Sequence, residues 1–221
     1  MTEILGHRGC RKRFHDNTME AFWAAYQYGC DGIELDARPT SDGRLALYHD
    51  AKLRARTVYQ TSSTEIASAD SRILFDDKLA ELPPYPGMIQ LELKPAPVHI
   101  WRHHIRLISA FATNNPNVVV TSFDRQLLTL INRDHPELRR GLLVDKLDCN
   151  PVGLAWGLGC ELIAVRDNSI NLSLLRKAKA YGLAVSVWTV NSLKRAKYLK
   201  TLGVDQIITD RPWAFCPQLS R

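Results

Sequence analysis

The sequence predicts a (β/α)8 barrel, and three observations carry that expectation. Eight short, apolar, β-rich runs recur along the 221 residues, helix-like stretches separate the later ones, and no GxGxxG follows any of them, which removes the usual signature of an open dinucleotide-binding sheet. Alternation of this kind implies parallel strands joined by crossovers. A single barrel routinely reaches about 200 to 250 residues, so 1–221 reads as one domain.

The first strand is expected at 4–7 (Ile4-Leu5-Gly6-His7), followed by an amphipathic helix within 17–28, and the second at 32–36 (Gly32-Ile33-Glu34-Leu35-Asp36). A third run at 88–93 opens a regular series with strands at 118–121, 141–144, 161–165, 184–188 and 206–209. Helices are expected at 100–111, 125–133, 172–181 and 193–202, the last two closed by Gly182 and Gly203 as C-terminal caps. The stretch 53–86 breaks the rhythm. It is polar, ends in Pro83-Pro84-Tyr85-Pro86, and leaves room for only a weak second crossover helix.

Hydrophobic residues make up 45% and charged residues 24%, which excludes a disordered or fibrous chain. No window approaches the roughly 20 apolar residues of a membrane span, and no basic segment leads into an apolar one at the N-terminus. A soluble, cytoplasmic protein without stable membrane insertion is therefore expected. Cys10, Cys30, Cys149, Cys160 and Cys216 form an odd set without a CxxC pair, which points to reduced thiols rather than disulfides or a zinc knuckle. The net charge of +6 suits an anionic partner: nucleic acid, a lipid surface or a phosphorylated metabolite. Arg11-Lys12-Arg13 has no aromatic interleaving, so nucleic acid is not the expected one. Oligomeric state is not legible.

Barrel active sites are built from the C-terminal ends of the strands. Here those ends read His7-Arg8-Gly9, Glu34-Leu35-Asp36 and Glu92-Leu93-Lys94, while His49-Asp50 closes the apolar run 45–48. Glu34 and Asp36 are two apart on a strand and so face the same side, the lumen at a barrel mouth, with Glu92 placed alike on the next strand. Three converging carboxylates repel one another unless a cation joins them, and they form an oxygen site suited to Mg²⁺ or Ca²⁺. His7 and His49 beside them suit proton transfer near neutrality. Arg8 and Lys94 supply fixed positive charge for a phosphate that gains negative character on attack. His15, His99, His103, His104 and His135 read as capped or surface imidazoles.

These residues resemble the glycerophosphodiester phosphodiesterases, whose pattern is HR, then ExD, then HD, then ExK along a (β/α)8 barrel. The matching stretches are Gly6-His7-Arg8-Gly9, Asn17-Thr18-Met19-Glu20-Ala21-Phe22, Gly32-Ile33-Glu34-Leu35-Asp36, Asp42-Gly43 before His49-Asp50, and Leu91-Glu92-Leu93-Lys94. Thr121-Ser122-Phe123-Asp124, Val187-Trp188-Thr189-Val190-Asn191 and Thr209-Asp210-Arg211-Pro212 extend the likeness to the C-terminus. The resemblance implies hydrolysis of a small glycerophosphodiester to an alcohol and a phosphomonoester such as sn-glycerol 3-phosphate, with one divalent cation. It implies Glu34, Asp36 and Glu92 as metal ligands, His7 and His49 as the acid/base pair, Arg8 and Lys94 as phosphate contacts, and Trp188 as a pocket wall.

The chain departs from the pattern at His15-Asp16, where the family commonly has Pro-Glu, and at Asp77-Lys78-Leu79-Ala80-Glu81-Leu82, a reduced helix. Strand six ends in Arg166-Asp167. Arg166, with Arg11, Lys12 and Arg13 in the loop after strand one, is expected at the mouth, selecting anionic diesters. Two competing readings are a phospholipase D-like enzyme on a sugar or lysolipid phosphodiester, and an inactive barrel that binds phosphorylated ligands.

Overall fold

The computed structural model describes residues 2–146 and 150–219, so Cys149 lies outside the described residues. Eight parallel strands close into a barrel: β1 (Glu3–His7), β2 (Gly32–Pro39), β3 (Ile89–Leu93), β4 (Val118–Ser122), β5 (Arg140–Val144), β6 (Leu162–Arg166), β7 (Ala184–Trp188) and β8 (Gln206–Thr209). Closure is made by β1, which pairs with β8 through Leu5↔Ile208 and with β2 through His7↔Glu34. All eight expected strands are present, within one to three residues at each end.

The helices are α1 (Met19–Gln27), α2 (Ser63–Ala69), α3 (Val98–Asn114), α4 (Arg125–Asp134), α5 (Pro151–Gly157), α6 (Leu172–Ala180), α7 (Leu193–Thr201) and α8 (Pro212–Leu219). Polar side chains start most of them by accepting an orphan backbone N–H of the first turn: Thr18 for α1, Asp124 for α4, Asn150 for α5, Asn171 for α6 and Ser192 for α7. Gly182 and Gly203 follow α6 and α7 at φ of 70° and 75°, as their capping role requires. Neither α5 nor α8 is in the sequence expectation. The α5 segment holds two glycines in seven residues, and packing of Val152 and Ala155 into the core overrides its weak intrinsic preference.

The irregular stretch after β2 is an excursion that returns to the barrel only at β3. Its strand Leu45–Leu47 runs antiparallel to the end of β2, pairing Ala46 with Arg38, and carries the chain back to His49 at the mouth. The crossover helix is α2, held by a capping box of Ser62 and Glu65, whereas Asp76–Glu81 forms only a 3-10 turn. Ala46, Val58, Ile66 and Ile73 make a small satellite core beneath it.

The main core fills the space between strands and helices, with Ile4, Ile33, Leu35, Leu91, Val120, Ile163 and Val187 facing outward to meet it. Alternate residues face the lumen. Gln90 proves the point, because its amide donates to Ser186 Oγ at 3.1 Å and to Gln206 Oε1 at 2.7 Å, on strands β7 and β8 far around the barrel. The lumen floor is thus a buried polar layer beneath the charged mouth. Gly32 also faces a crowded point: a Cβ there would lie 1.9 Å from the Met88 carbonyl oxygen, which is backbone and cannot swing aside.

Gly32→Ala is therefore expected to lower stability by about 3 kcal/mol or more, as overpacking against an immovable group does. Gly157→Ala, which meets nothing within 4 Å on a helical residue, should instead raise it by up to about 1 kcal/mol. Urea unfolding of the two variants checks the pair.

Candidate active site

The C-terminal ends of the strands enclose a cavity of about 330 Å³. One half is charged, with His7, Arg8, Glu34, His49, Glu92 and Lys94; the other is apolar, with Phe123, Leu143, Trp188 and Ile208. Strand register explains the charged half. Asp36 pairs with Glu92 on β3, and Glu34 stands beside His7 on β1, so residues from three strands meet at one level. One carboxylate oxygen from each of Glu34, Asp36 and Glu92 lies within 4.8 Å of the others, and all three residues are buried.

Two cations hold this group together. Lys94 Nζ bridges Asp36 Oδ1 at 2.8 Å and Glu92 Oε1 at 2.6 Å, and Arg8 Nε lies 3.1 Å from Asp36 Oδ2. Three carboxylates against two fixed cations leave one excess negative charge in a desolvated site. Its consequence falls on Glu34, whose pKa burial pushes well above the ordinary range, with the charges of Asp36 and Glu92 adding to the shift. Burial also raises Glu92. Burial would raise Asp36 too, but Lys94 and Arg8 outweigh it and hold the carboxyl at about 2. Glu34 Oε2 accepts the backbone N–H of Arg8 at 3.1 Å, while Glu34 Oε1 is buried with no partner among the described residues. An unpartnered carboxylate oxygen aimed into a trio of acids is the donor set a hard divalent cation takes.

Backbone geometry places these groups. Arg8 and Asn17 both adopt positive φ, 51° and 56°, and Gly9 follows at 77°, where a Cβ would sit 2.6 Å from Ala21 backbone. This turn brings the Asn17 amide onto Asp36: Nδ2 donates to Asp36 Oδ2 at 2.8 Å and Oδ1 accepts the Asp36 backbone N–H at 3.1 Å. Asp16, the departure from the family pattern, accepts from Arg8 Nη1 at 3.1 Å.

Each histidine has its own carboxylate. His7 Nδ1 lies 2.6 Å from Asp210 Oδ1, which leaves Nε2 facing Glu34, and Asn191 Nδ2 donates to the other Asp210 oxygen at 2.7 Å. Burial lowers the His7 pKa more than the Asp210 bond raises it, and that bond helps hold Asp210 at about 2 against its own burial. His49 Nδ1 meets Asp50 Oδ1 at 2.7 Å, and its carbonyl accepts two bonds from the Arg38 guanidinium, Nε at 2.9 Å and Nη2 at 2.6 Å. Trp188 lines the apolar half, edge-on to Phe123 with centroids 5.7 Å apart and its indole N–H donating to Ala164 O.

Of the residues read from sequence, Glu34, Asp36, Glu92, His7, His49, Arg8, Lys94 and Trp188 come together here. Arg166 does not line this cavity: it is exposed, donates to Asp145 Oδ1 at 2.6 Å, and lies with its guanidinium 5.8 Å from the centre of the Trp188 ring. Arg13 also turns elsewhere, stacking over Trp213 at 4.4 Å and donating to Tyr28 Oη. His104 corrects the surface reading, being buried between the carbonyls of Ile100 and Thr40. Sequence reasoning missed Asp210, Asn191, Asn17, Arg38, Asp50 and Phe123 as site residues. The available signals were position and likeness: Asp210 follows the last strand as Phe123 follows the fourth, and Asn17, Asp50, Phe123, Asn191 and Asp210 lie in stretches that match the family pattern.

A stability test follows from Glu34. An acid whose folded pKa is raised stabilises the fold below its unfolded pKa, near 4.3, and that contribution is lost as pH rises through the folded value. The cation-free protein should thus gain in Tm when Glu34→Gln is made at neutral pH. The gain should shrink in mildly acidic buffer, which thermal melts at the two pH values check.

The Glycerophosphoryl diester phosphodiesterase family profile matches residues 7–214. A glycerophosphodiester phosphodiesterase from Caldanaerobacter subterraneus subsp. tengcongensis is 30% identical over 232 residues, covering 96% of this chain and 95% of the relative. One from Bacillus altitudinis is 29% identical over 238 residues and 96% of each chain. Among solved structures, an Oleispira antarctica phosphodiesterase in complex with the product sn-glycerol-3-phosphate superposes with a TM-score of 0.87 at 20% identity, covering 100% of this chain and 98% of that one. With the barrel, the acidic trio and the two histidine–aspartate pairs at its mouth, the chain belongs to the glycerophosphoryl diester phosphodiesterase family, a family of phosphoric diester hydrolases.

Proposed function

We propose that this enzyme hydrolyses a small glycerophosphodiester to an alcohol and sn-glycerol 3-phosphate, with one divalent cation, Mg²⁺ or Ca²⁺, held by Glu34, Asp36 and Glu92. The observation that carries the reading is the buried acidic trio with the unpartnered Glu34 oxygen, set beneath two histidines that each have a carboxylate partner. Capture of sn-glycerol-3-phosphate in the Oleispira antarctica relative supports the product assignment. When bound, the cation supplies charge to a nonbridging phosphoryl oxygen and lowers the cost of a more anionic transition state.

The remaining work belongs to side chains. Arg8 and Lys94 border the cavity and contact the other phosphoryl oxygens, offsetting charge that grows on attack. His7 is the base. Its Nδ1–H is held by Asp210, burial keeps the ring neutral, and Nε2 is free to take a proton from the nucleophile, which is either water or a hydroxyl of the substrate itself, the cyclic phosphate formed in the second case then being opened by water. His49 is the acid. Burial lowers its pKa, with Asp36 and Asp50 opposing that shift, and its side chain is 39% exposed, so it can collect a proton from solvent and give it to the leaving oxygen. Arg38 fixes the backbone of His49 and so its reach. Trp188 and Phe123 close the apolar side, where the three-carbon glycerol chain packs.

Two measurements test this. Chelation should abolish turnover and lower Tm, with both restored by Mg²⁺ or Ca²⁺ but not in Glu92→Gln; full activity of a metal-stripped preparation overturns the cation. His7→Ala and His49→Ala should each lose about 10² to 10⁴ in kcat on an alkyl diester. With a p-nitrophenyl leaving group, which departs unprotonated, His49→Ala should recover most of its loss and His7→Ala none. Equal losses on both substrates would remove the assigned division of roles.

A further inference from the structure

A phosphodiester has two arms, and two of the cavities at the mouth of this barrel meet at Arg8 and His49, whereas a third, of about 420 Å³, meets the first at Phe123 and Leu143 instead. The second, of about 550 Å³, adjoins the first and shares Arg8 and His49 with it. Its own lining comes from the loop after β1, with Arg11, His15 and Asp16, and from the excursion after β2, with Tyr48, Asp50, Asp70 and Arg72. A phosphorus atom held at Arg8 and His49 would send one ester arm into each. We propose that the second cavity is the site of the leaving arm, and that the arm it fits is a polyol, such as glycerol, a cyclitol or a sugar. This rests on the phosphodiesterase reading above and names its substrate class.

Charge decides the chemistry. Three arginines face three aspartates in the lining, so these charges cancel in number, and His49 adds a positive one only while it holds the proton meant for the leaving oxygen; little net attraction is left for a second phosphate or a carboxylate. A quaternary ammonium arm is bound best by a cage of aromatic rings, and Tyr48 is the one aromatic residue here. What the cavity does offer is donors and acceptors side by side. Arg72 is fixed by two bonds to Asp70, Nε to Oδ1 at 2.8 Å and Nη2 to Oδ2 at 2.7 Å, which holds both in place. Arg8 donates to Asp16, and Asp50 engages His49 through one oxygen.

Arg11 is less committed. Its guanidinium lies 3.8 Å from Asp16 and 3.7 Å from Asp210, too far for hydrogen bonds, and its side chain is 30% exposed. A partly covered guanidinium with donors to spare, between fixed carboxylates that accept, is complementary to vicinal hydroxyls, each of which both donates and accepts. The polarity of this cavity also matches the placement of His49 on its border, where a leaving oxygen must be protonated.

The test uses glycerophosphodiesters with one common glycerol phosphate arm and a glycerol, inositol, choline or ethyl leaving arm. Turnover is paired with equilibrium binding of the matching non-cleavable phosphonates in the presence of a divalent cation. Wild-type enzyme should favour the polyol arms over ethyl by about tenfold or more in kcat/KM and in Kd. Arg11→Ala, at a half-buried loop position, and Arg72→Ala, at an exposed one, both lie outside the barrel core and should each reduce that ratio by about threefold to tenfold. A ratio near one in wild type, a preference for choline, or a ratio that neither variant moves overturns the proposal. If the binding preference holds while no diester is cleaved, the hydrolase reading fails and the polyol site stands.

Discussion

Three carboxylates that cannot all be ionised comfortably in one desolvated place are the constraint around which the mouth of this barrel is built. Lys94 and Arg8 compensate two of the charges, and the third remains on Glu34 as a raised pKa and an oxygen without a partner. A protein selected only for stability would replace Glu34 with a neutral residue. Keeping it means that the site is incomplete by one positive charge, and incompleteness of that sign is what a cation can fill.

The same constraint accounts for the strained turn after β1. Arg8 must reach Asp36 with its side chain and Glu34 with its backbone N–H at once, which its left-handed backbone permits. Gly9 then lets the chain pass against Ala21, and Asn17 returns to clamp Asp36 from the other side. Uncommon conformations concentrate where the acids converge, as expected when surrounding contacts over-determine them. The excursion after β2 serves the site from outside the barrel: its antiparallel strand delivers His49 to the rim, and Arg38, still on β2, pins that residue's carbonyl.

Net charge proves to be a poor guide to the site. Between Asp167 and Asp205 the sequence has seven Lys and Arg residues and no Asp or Glu, so the +6 excess collects around α6 and α7 on the outer ring. At the mouth, by contrast, acids and bases are matched nearly one for one. Anion recognition there is a matter of local placement, and the basic run Arg11-Lys12-Arg13 divides, Arg11 turning to the mouth while Arg13 stacks on Trp213.

The sequence by itself determined the alternation of strands and helices, because burial with period two and capping chemistry are local properties of the chain. It also determined the acidic trio, since residues two apart on a strand share a face and sequential strands are neighbours in a barrel. Only the tertiary structure decided the partners. Asp210 meets His7 across 203 positions because β8 and β1 close the barrel, and no local pattern marks an aspartate as the one that will orient a given imidazole. Arg166 sits at a strand end, as its position requires, yet its long side chain pairs with Asp145 and lies over the Trp188 ring without lining the cavity. Helix α5 forms from a glycine-containing segment because the core beneath it rewards burial more than propensity resists. Backbone periodicity fixes where a residue starts; the choice among competing charged neighbours at the end of a flexible side chain depends on distances that exist only once the barrel has closed.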